Sequence, residues 1–154
     1  MANSNHTTRR TVLGLAGGAA VLVIVRPADA KPAMLSVAIR NVVGEANVRT
    51  GKVKLDIPPL VENGNAVPLT VRADSPMTAD DHVKAIHVFN EKNPQPHVFN
   101  AWLSPANGQA RIATRIKLAD TQKIVAIAET SKGEYWAAHA DVIVTLAACI
   151  EDIT

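Results

Sequence analysis

Seven short runs of alternating or β-branched residues constrain the fold of this chain more than any other feature of its sequence. Turn-forming clusters such as PPLVENGN, NEKNPQP, SPANGQ and SKGE separate them, and these are too short to hold the crossover helices that parallel strands need. The runs occupy residues 53–57, 67–73, 83–90, 98–103, 110–118, 123–130 and 135–146. This spacing predicts an all-β, immunoglobulin-like antiparallel β-sandwich of about seven strands. The inter-sheet disulfide of antibody domains is excluded, because the chain has a single cysteine.

One short helix is predicted ahead of the strands. Leu35, Ile39, Val42 and Val43 follow helical spacing in the segment AMLSVAIRNVVGEA. Gly44 follows them, and glycine is common just past the end of a helix.

The first thirty residues are typical of an export signal. Arg9 and Arg10 precede the apolar stretch 12–25, which is the twin-arginine pattern, and Ala28 and Ala30 flank Asp29 as an A-x-A cleavage site. An uncleaved membrane anchor is the alternative, but the apolar stretch is shorter than the roughly 18 residues of a spanning helix and contains glycines. We therefore predict cleavage after Ala30 and a periplasmic protein exported by the twin-arginine route.

The predicted mature chain is nearly neutral. Without residues 1–30 it keeps thirteen basic and thirteen acidic side chains, so its charge does not indicate a nucleic-acid-binding protein. It shows no internal repeat and no linker. The sequence predicts one domain over residues 31–146, followed by a short C-terminal arm over residues 147–154.

Metal binding has little support in the residue spacing. His82, His87, His97, His139 and Cys149 could supply ligands, but no two of them form a recognised ligand motif. His87 lies in an apolar strand, where a histidine is expected to pack with its ring nitrogens satisfied. We predict no metal site.

A self-contained enzyme is also disfavoured. His139 precedes Cys149 by ten positions, but a C-terminal arm cannot hold a thiol in fixed geometry with a base and oxyanion donors. The pair Asp80 and Asp81 is typical of solvated turn residues, and no glycine-rich phosphate loop is present. The sequence therefore predicts no catalytic residue.

The role of the single thiol, Cys149, is open to two hypotheses. A thiol on a mobile arm is a good carrier, because an attached group can be presented in turn to other proteins. Alternatively, the segment around Ala148 and Ile150 extends the last strand and buries the sulfur as a small hydrophobe. In an exported chain, a lone thiol must be buried, paired with another chain, or used.

Several long segments together resemble one family. The twin-arginine signal is followed by IPPLVENGNAVPLTVRADSPMT, HVKAIHVFNEKNPQPHVFNAWLSP, RIATRIKLAD and GEYWAAHADVIVTL, and a cysteine stands near the end. This pattern resembles the SoxY family, the sulfur-carrier subunits of the periplasmic thiosulfate-oxidising system. The resemblance implies an immunoglobulin-like sandwich, a SoxZ-like partner in a heterodimer, client enzymes of sulfur oxidation and no cofactor. It assigns covalent sulfur attachment to Cys149.

The arm differs from the carrier pattern. A SoxY arm reads GGCGG, whereas here Ala147, Ala148, Ile150 and Glu151 surround the cysteine, as in the SoxY-related group with an AACIE arm. The added side chains make the arm bulkier and stiffer, and the acidic pair Glu151–Asp152 opposes thiolate formation. We expect slower conjugation than on a glycine arm.

An exported partner-binding module is the competing function, in which Cys149 is structural or forms an intermolecular disulfide. Apolar residues on both faces of the strand at 83–89 suggest that one face meets another chain. The reactivity of the cysteine separates the two functions.

Overall fold

A computed structural model describes residues 31–148. The predicted signal peptide, with Arg9, Arg10, Ala28 and Ala30, lies outside the described residues. The end of the predicted arm, with Cys149, Ile150 and Glu151, lies outside them as well.

The described part of the chain contains one α-helix and nine strands. These are α1 Lys31–Val43, β1 Val48–Thr50, β2 Val53–Asp56, β3 Leu60–Val61, β4 Val67–Ala73, β5 Val83–Asn90, β6 His97–Trp102, β7 Ala110–Ile116, β8 Gln122–Thr130 and β9 Tyr135–Val144. Single 3₁₀ turns span Gly64–Ala66 and Pro105–Asn107. All seven predicted runs are strands. The sequence missed β1 and β3, because segments of three and two residues are too short to show alternation.

The strands form two sheets that pack as a sandwich, which confirms the predicted fold class. The larger sheet has the order β1-β9-β8-β5-β6, with β3 also paired to β9, and the smaller one has the order β2-β4-β7. Pairing is antiparallel except for β1 and β3, which run parallel to β9. Alternate residues point inward from each sheet. Leu69 and Val71 of β4 thereby share one core with Ile86, Val88 and Ile124 of the larger sheet.

Helix α1 ends as the sequence predicts. Gly44 has φ 62°, and its N–H donates to the carbonyl oxygen of Arg40 at 2.7 Å, which is an αL cap. None of the helical segments among residues 31–148 has the length and hydropathy of a bilayer-spanning helix.

The outer face of β5 is covered in part by this chain itself. The apolar side of α1, including Val43, packs on Phe89 and Ile127, and Phe89 has no exposed surface. The sequence suggested that another chain covers one face of the strand at 83–89. That inference is wrong at Phe89, because the amphipathic helix buries it. The remainder of this face, at Ala85 and His87, lies beyond the helix contacts.

Candidate functional site

The end of the last strand is fixed to an earlier segment of the chain. The N–H of Ile143 donates to the carbonyl oxygen of Pro59 at 2.9 Å, and that of Thr145 donates to Val61 at 3.0 Å. These bonds continue the parallel pairing of β3 with β9. The chain therefore leaves the sheet toward Cys149 along a defined path.

Beyond β9, three backbone hydrogen bonds hold the chain at the edge of the sandwich. Each bond joins a backbone N–H to a carbonyl oxygen. The N–H of Gly64 donates to the oxygen of Leu146 at 2.8 Å, the N–H of Leu118 donates to that of Gly64 at 2.8 Å, and the N–H of Ala148 donates to that of Leu118 at 2.9 Å. We call Gly64, Leu118, Leu146 and Ala148 the arm root. Ala147 is exposed, whereas Ala148 is buried. Cys149 thus follows directly on an anchored residue, and the boundary between domain and arm at 146/147 stays a prediction.

Gly64 is needed at the arm root because the backbones approach closely. A Cβ at this position would lie 2.3 Å from the carbonyl oxygen of Leu118 and 2.8 Å from the nitrogen of Ala148. Both distances are well below van der Waals contact. Only glycine fits without moving the backbone that leads to Cys149.

A polar network holds the segment that carries Leu118. The Nδ2 of Asn93 donates to the carbonyl oxygen of Lys117 at 2.9 Å, and its Oδ1 accepts from the N–H of Ala119 at 3.0 Å. The Nε2 of Gln122, a buried residue, donates to the same Oδ1 at 2.8 Å. Satisfied buried polar groups of this kind make a backbone segment rigid. The sequence showed Asn93 and Gly64 only as members of turn clusters, so their role at the root was missed.

Exposed apolar side chains surround the arm root. Leu60 of β3 pairs in register with Ile143 of β9, and their exposed fractions are 57% and 55%. Leu146 of the root is exposed as well. Exposed apolar residues that cluster in this way are typical of surfaces that other proteins contact.

The histidines considered as ligands do not converge. His139 is exposed on β9, and the Nδ1 of His82 bonds the carbonyl oxygen of Thr78 at 3.1 Å. Within residues 31–148, no three His, Cys, Asp or Glu side chains form a potential metal site. The predicted absence of a Cys149–His139 pair stays a prediction, since Cys149 lies outside these residues.

The predicted acidic turn is held by an ion pair. Asp81 Oδ2 lies 2.7 Å from Lys132 Nζ, and Asp80 is exposed. The hydrogen bond from Lys132 lowers the pKa of Asp81 below its ordinary value. Nothing in this pair of carboxylates indicates acid–base chemistry.

His87 differs from the expectation that both its ring nitrogens are satisfied. Its Nδ1 lies 2.5 Å from Asn100 Oδ1, and His97 Nε2 lies 2.7 Å from the same oxygen. The Nε2 of His87 is buried and has no hydrogen-bond partner among the described residues; the Oε2 of Glu129 lies 3.8 Å away. A buried ring nitrogen without a hydrogen bond costs stability.

Glu129 stays ionised beside this nitrogen. Burial raises the pKa of Glu129, but hydrogen bonds from Lys84 and from the hydroxyl of Tyr135 outweigh it, and the net pKa lies below the ordinary value. At 3.8 Å its Oε2 is beyond hydrogen-bond distance of the His87 Nε2, so Glu129 does not satisfy that nitrogen.

A large aromatic side chain stands next to His87. Trp102 is 68% exposed, its ring centroid lies 5.7 Å from that of His87 in an edge-to-face arrangement, and it pairs with Ala85 across the strands. We call Trp102, Ala85 and His87 the Trp102 surface. It lies on β6, the edge strand of the larger sheet, and on its neighbour β5. The sequence did not single out Trp102, since one tryptophan at a strand end has no periodic signature.

Comparison with known proteins identifies a related family. A family model described as "Sulfur oxidation protein SoxY" matches residues 39–149, which is most of the chain. No curated protein gives a significant sequence match.

Among solved structures, the fold is similar to the sulfur carrier protein SoxY from Chlorobium limicola f thiosulfatophilum. The TM-score is 0.62 at 24% identity, covering 74% of this chain and 98% of that one. It is also similar to a superoxide reductase (neelaredoxin) from Ignicoccus hospitalis, with a TM-score of 0.57 at 15% identity, covering 63% of this chain and 94% of that one. At these identities the structural likenesses establish the fold alone.

Proposed function

Because this chain belongs to the SoxY family of sulfur oxidation proteins, we propose that it holds sulfur intermediates covalently on Cys149 for partner enzymes that oxidise sulfur compounds such as thiosulfate. One observation supports this most: the family match runs over residues 39–149 and so ends on the single cysteine. Members of this family are periplasmic, and membership in it supports a carrier role in sulfur oxidation. The chain would then act as a carrier and not as an enzyme.

In this function the Cys149 thiolate and the sulfane sulfur of thiosulfate form a disulfide bond, and a partner redox enzyme accepts the two electrons that this oxidation releases. Partner enzymes oxidise and hydrolyse the conjugate, and the free thiol is regenerated. The carrier needs no acid, base or cofactor of its own. The anchored arm root supports this function, because it keeps the attachment point at an edge of the sandwich where a partner can approach.

The two alanines of the AACIE arm lie in different surroundings. Ala148 is buried and hydrogen-bonded at the root, so its methyl group belongs to the packed domain. Ala147 is exposed. The added bulk that distinguishes this arm from GGCGG therefore concerns Ala147, Ile150 and Glu151 more than Ala148.

The carrier role predicts a sulfur adduct on Cys149. We expect the protein purified from its native periplasm without reductant to carry sulfur or sulfonate mass increments, which reductant removes. In the folded, reduced protein Cys149 should react rapidly with iodoacetamide. Intact-mass spectrometry measures both. In Cys149→Ser the increments should disappear, while the melting temperature stays within about 2 °C, as the carrier role predicts for a thiol that partner enzymes can reach.

The opposite result favours the binding module. If Cys149 resists alkylation in the folded protein, and Cys149→Ser changes neither the native mass increments nor sulfur oxidation, the carrier role is wrong.

We further propose a heterodimer with a SoxZ-like subunit that covers the Trp102 surface. The exposed ring of Trp102, which contacts the buried His87 edge to face, supports this surface, since a partner that covers the ring gains a large apolar contact.

Export by the twin-arginine route is a further part of the proposal. We expect Arg9→Lys/Arg10→Lys to remove the protein from the periplasmic fraction and leave the precursor, with residues 1–30 uncleaved, in the cytoplasm. Immunoblotting of fractionated cells measures this. The matched control is Arg26→Lys, which should be exported normally; full export of the double variant by this route would show that the signal was misread.

A further inference from the structure

Three basic side chains stand in one row across the exposed face of the smaller sheet. Lys54 of β2 pairs in register with Arg72 of β4, and Arg72 pairs with Arg111 of β7. All three are exposed, while their neighbours along each strand are turned toward the core. Directly paired residues of adjacent strands have Cα atoms about 4.5 to 5.5 Å apart. We call these three residues the basic row.

One carboxylate lies near the basic row: Asp74, just past the end of β4, lines a surface pocket together with Arg72 and Arg111. Within residues 31–148, no ion pair is formed by any of its members or by Arg115 on the same face. The face has one carboxylate within its strands, Asp56, which lies in the next row opposite Thr70. On the larger sheet, by contrast, Lys84 pairs with Glu129 at 2.8 Å.

This arrangement costs stability in the isolated chain. Like charges directly opposite each other on neighbouring strands are destabilising, and here two such pairs share Arg72. An anionic group placed over the row would turn the repulsion into attraction at all three residues. The row is therefore suited to a binding partner that carries several negative charges at similar spacing.

The surroundings of the row favour a protein as that partner. The only apolar residues exposed on this face are Pro68 and Ala113, so it has no large apolar side chain to insert into a bilayer. The chain's own acidic residues, Glu151 and Asp152, are a less suitable occupant of the row. They follow Ala148, whose N–H donates to the carbonyl oxygen of Leu118. Leu118 lies past the C-terminal end of β7, whereas Arg111 lies near the N-terminal end of that strand.

We propose that the basic row is a docking surface for an acidic patch on a partner protein. The inference rests on the proposed function only in taking that partner to be one of the proteins that act on the carrier. Complementary charge mainly accelerates and orients such an encounter, so docking here should weaken steeply as the salt concentration rises. The row lies on the sheet opposite the Trp102 surface, so both partners can bind together.

Site-specific photocrosslinking in the native periplasm tests this docking. With p-benzoylphenylalanine in place of Ala113, we expect an adduct whose crosslinked peptide, identified by mass spectrometry, contains several Asp or Glu residues. Arg72→Glu/Arg111→Glu should reduce the adduct at least tenfold. The matched control, Arg40→Glu/Lys132→Glu, changes the net charge equally at helix α1 and in the turn between β8 and β9, and should keep the adduct. Lysine substitutions at the crosslinked carboxylates should restore the adduct of the charge-reversed variant.

Each alternative occupant gives a distinct result. The proposal is wrong if the adduct is absent, if it is insensitive to charge reversal, or if it joins Ala113 to residues 149–154 of the same chain. Row-dependent sedimentation with phosphatidylglycerol vesicles, without a protein adduct, would likewise overturn it in favour of a membrane. Arg72→Gln/Arg111→Gln repeats the test if the glutamates impair folding.

Measuring the sulfur increments and the row-dependent adduct side by side in the chain with wild-type Cys149 separates this inference from the carrier function. If the sulfur increments were never present and the row-dependent adduct persists, the carrier role fails and the docking surface stands. If the increments are present and the adduct does not form, the docking surface fails and the carrier role stands.

Discussion

Replacing Gly64 by alanine should lower the free energy of unfolding by about 2 to 4 kcal/mol and release the arm root. The new Cβ would stand 2.3 Å from the carbonyl oxygen of Leu118 and 2.8 Å from the nitrogen of Ala148, and backbone atoms cannot rotate away. Overpacking costs about 1 to 3 kcal/mol, and each of the three root hydrogen bonds adds about 1 kcal/mol if it is lost. For a domain of this size the melting temperature should fall by roughly 10 °C. Amide exchange at Leu118 and Ala148 should accelerate at least tenfold.

Gly133→Ala is the matched control for this prediction. Gly133 has φ 76° and open space where a Cβ would be placed, so alanine costs about 1 to 2 kcal/mol of backbone strain. It should leave exchange at the arm root unchanged, because it lies in the turn between β8 and β9. If Gly64→Ala kept wild-type stability and wild-type amide exchange at Ala148, the close backbone approach at the arm root would be refuted.

Replacing Trp102 by alanine should weaken the proposed heterodimer by roughly 30-fold or more, without destabilising the free chain. Exposed tryptophans that become buried on association commonly contribute about 2 kcal/mol or more, and each 1.4 kcal/mol corresponds to about a tenfold change in Kd. Because Trp102 is 68% exposed in the free chain, its removal opens no cavity there. Isothermal titration calorimetry of the chain with the SoxZ-like subunit from the same organism measures the change in Kd, and thermal unfolding measures the stability.

Leu60→Ala tests whether any exposed apolar residue would have the same effect. Leu60 is 57% exposed, but it lies next to the arm root and not on the Trp102 surface. We expect a change in Kd of less than about twofold, as for most residues outside a hot spot. Equal losses for both variants, or an unchanged Kd for Trp102→Ala, would refute the Trp102 surface as the heterodimer interface.

The arm root shows why part of the candidate site could not be predicted from sequence. Cys149 could be proposed from the sequence, because it is the single cysteine and the resemblance to the SoxY family assigns sulfur attachment to it. Gly64 and Leu118 act on the path to Cys149 only through backbone contacts with Ala148. Such contacts join distant parts of the chain, and the backbone groups that form them are the same in every residue type. The residue types of Gly64 and Leu118 therefore do not reveal that these positions hold the arm root.

Local patterns in the sequence are sufficient to identify most elements of this protein. Alternation identifies the seven longer strands, helical spacing and Gly44 identify α1 and its end, and the pattern of segments identifies the family. These features depend on residues a few positions apart, and the physical preferences that produce them act within single elements.

The contacts between these elements follow from the folded arrangement and could not be predicted from local patterns. That arrangement placed α1 on Phe89, where the sequence had suggested another chain, and it brought Lys54, Arg72 and Arg111 into one row. The sheet order and register that create these contacts result from packing the two sheets and the helix together. Many distant side chains contribute to that packing at once, so no single segment of the sequence contains it.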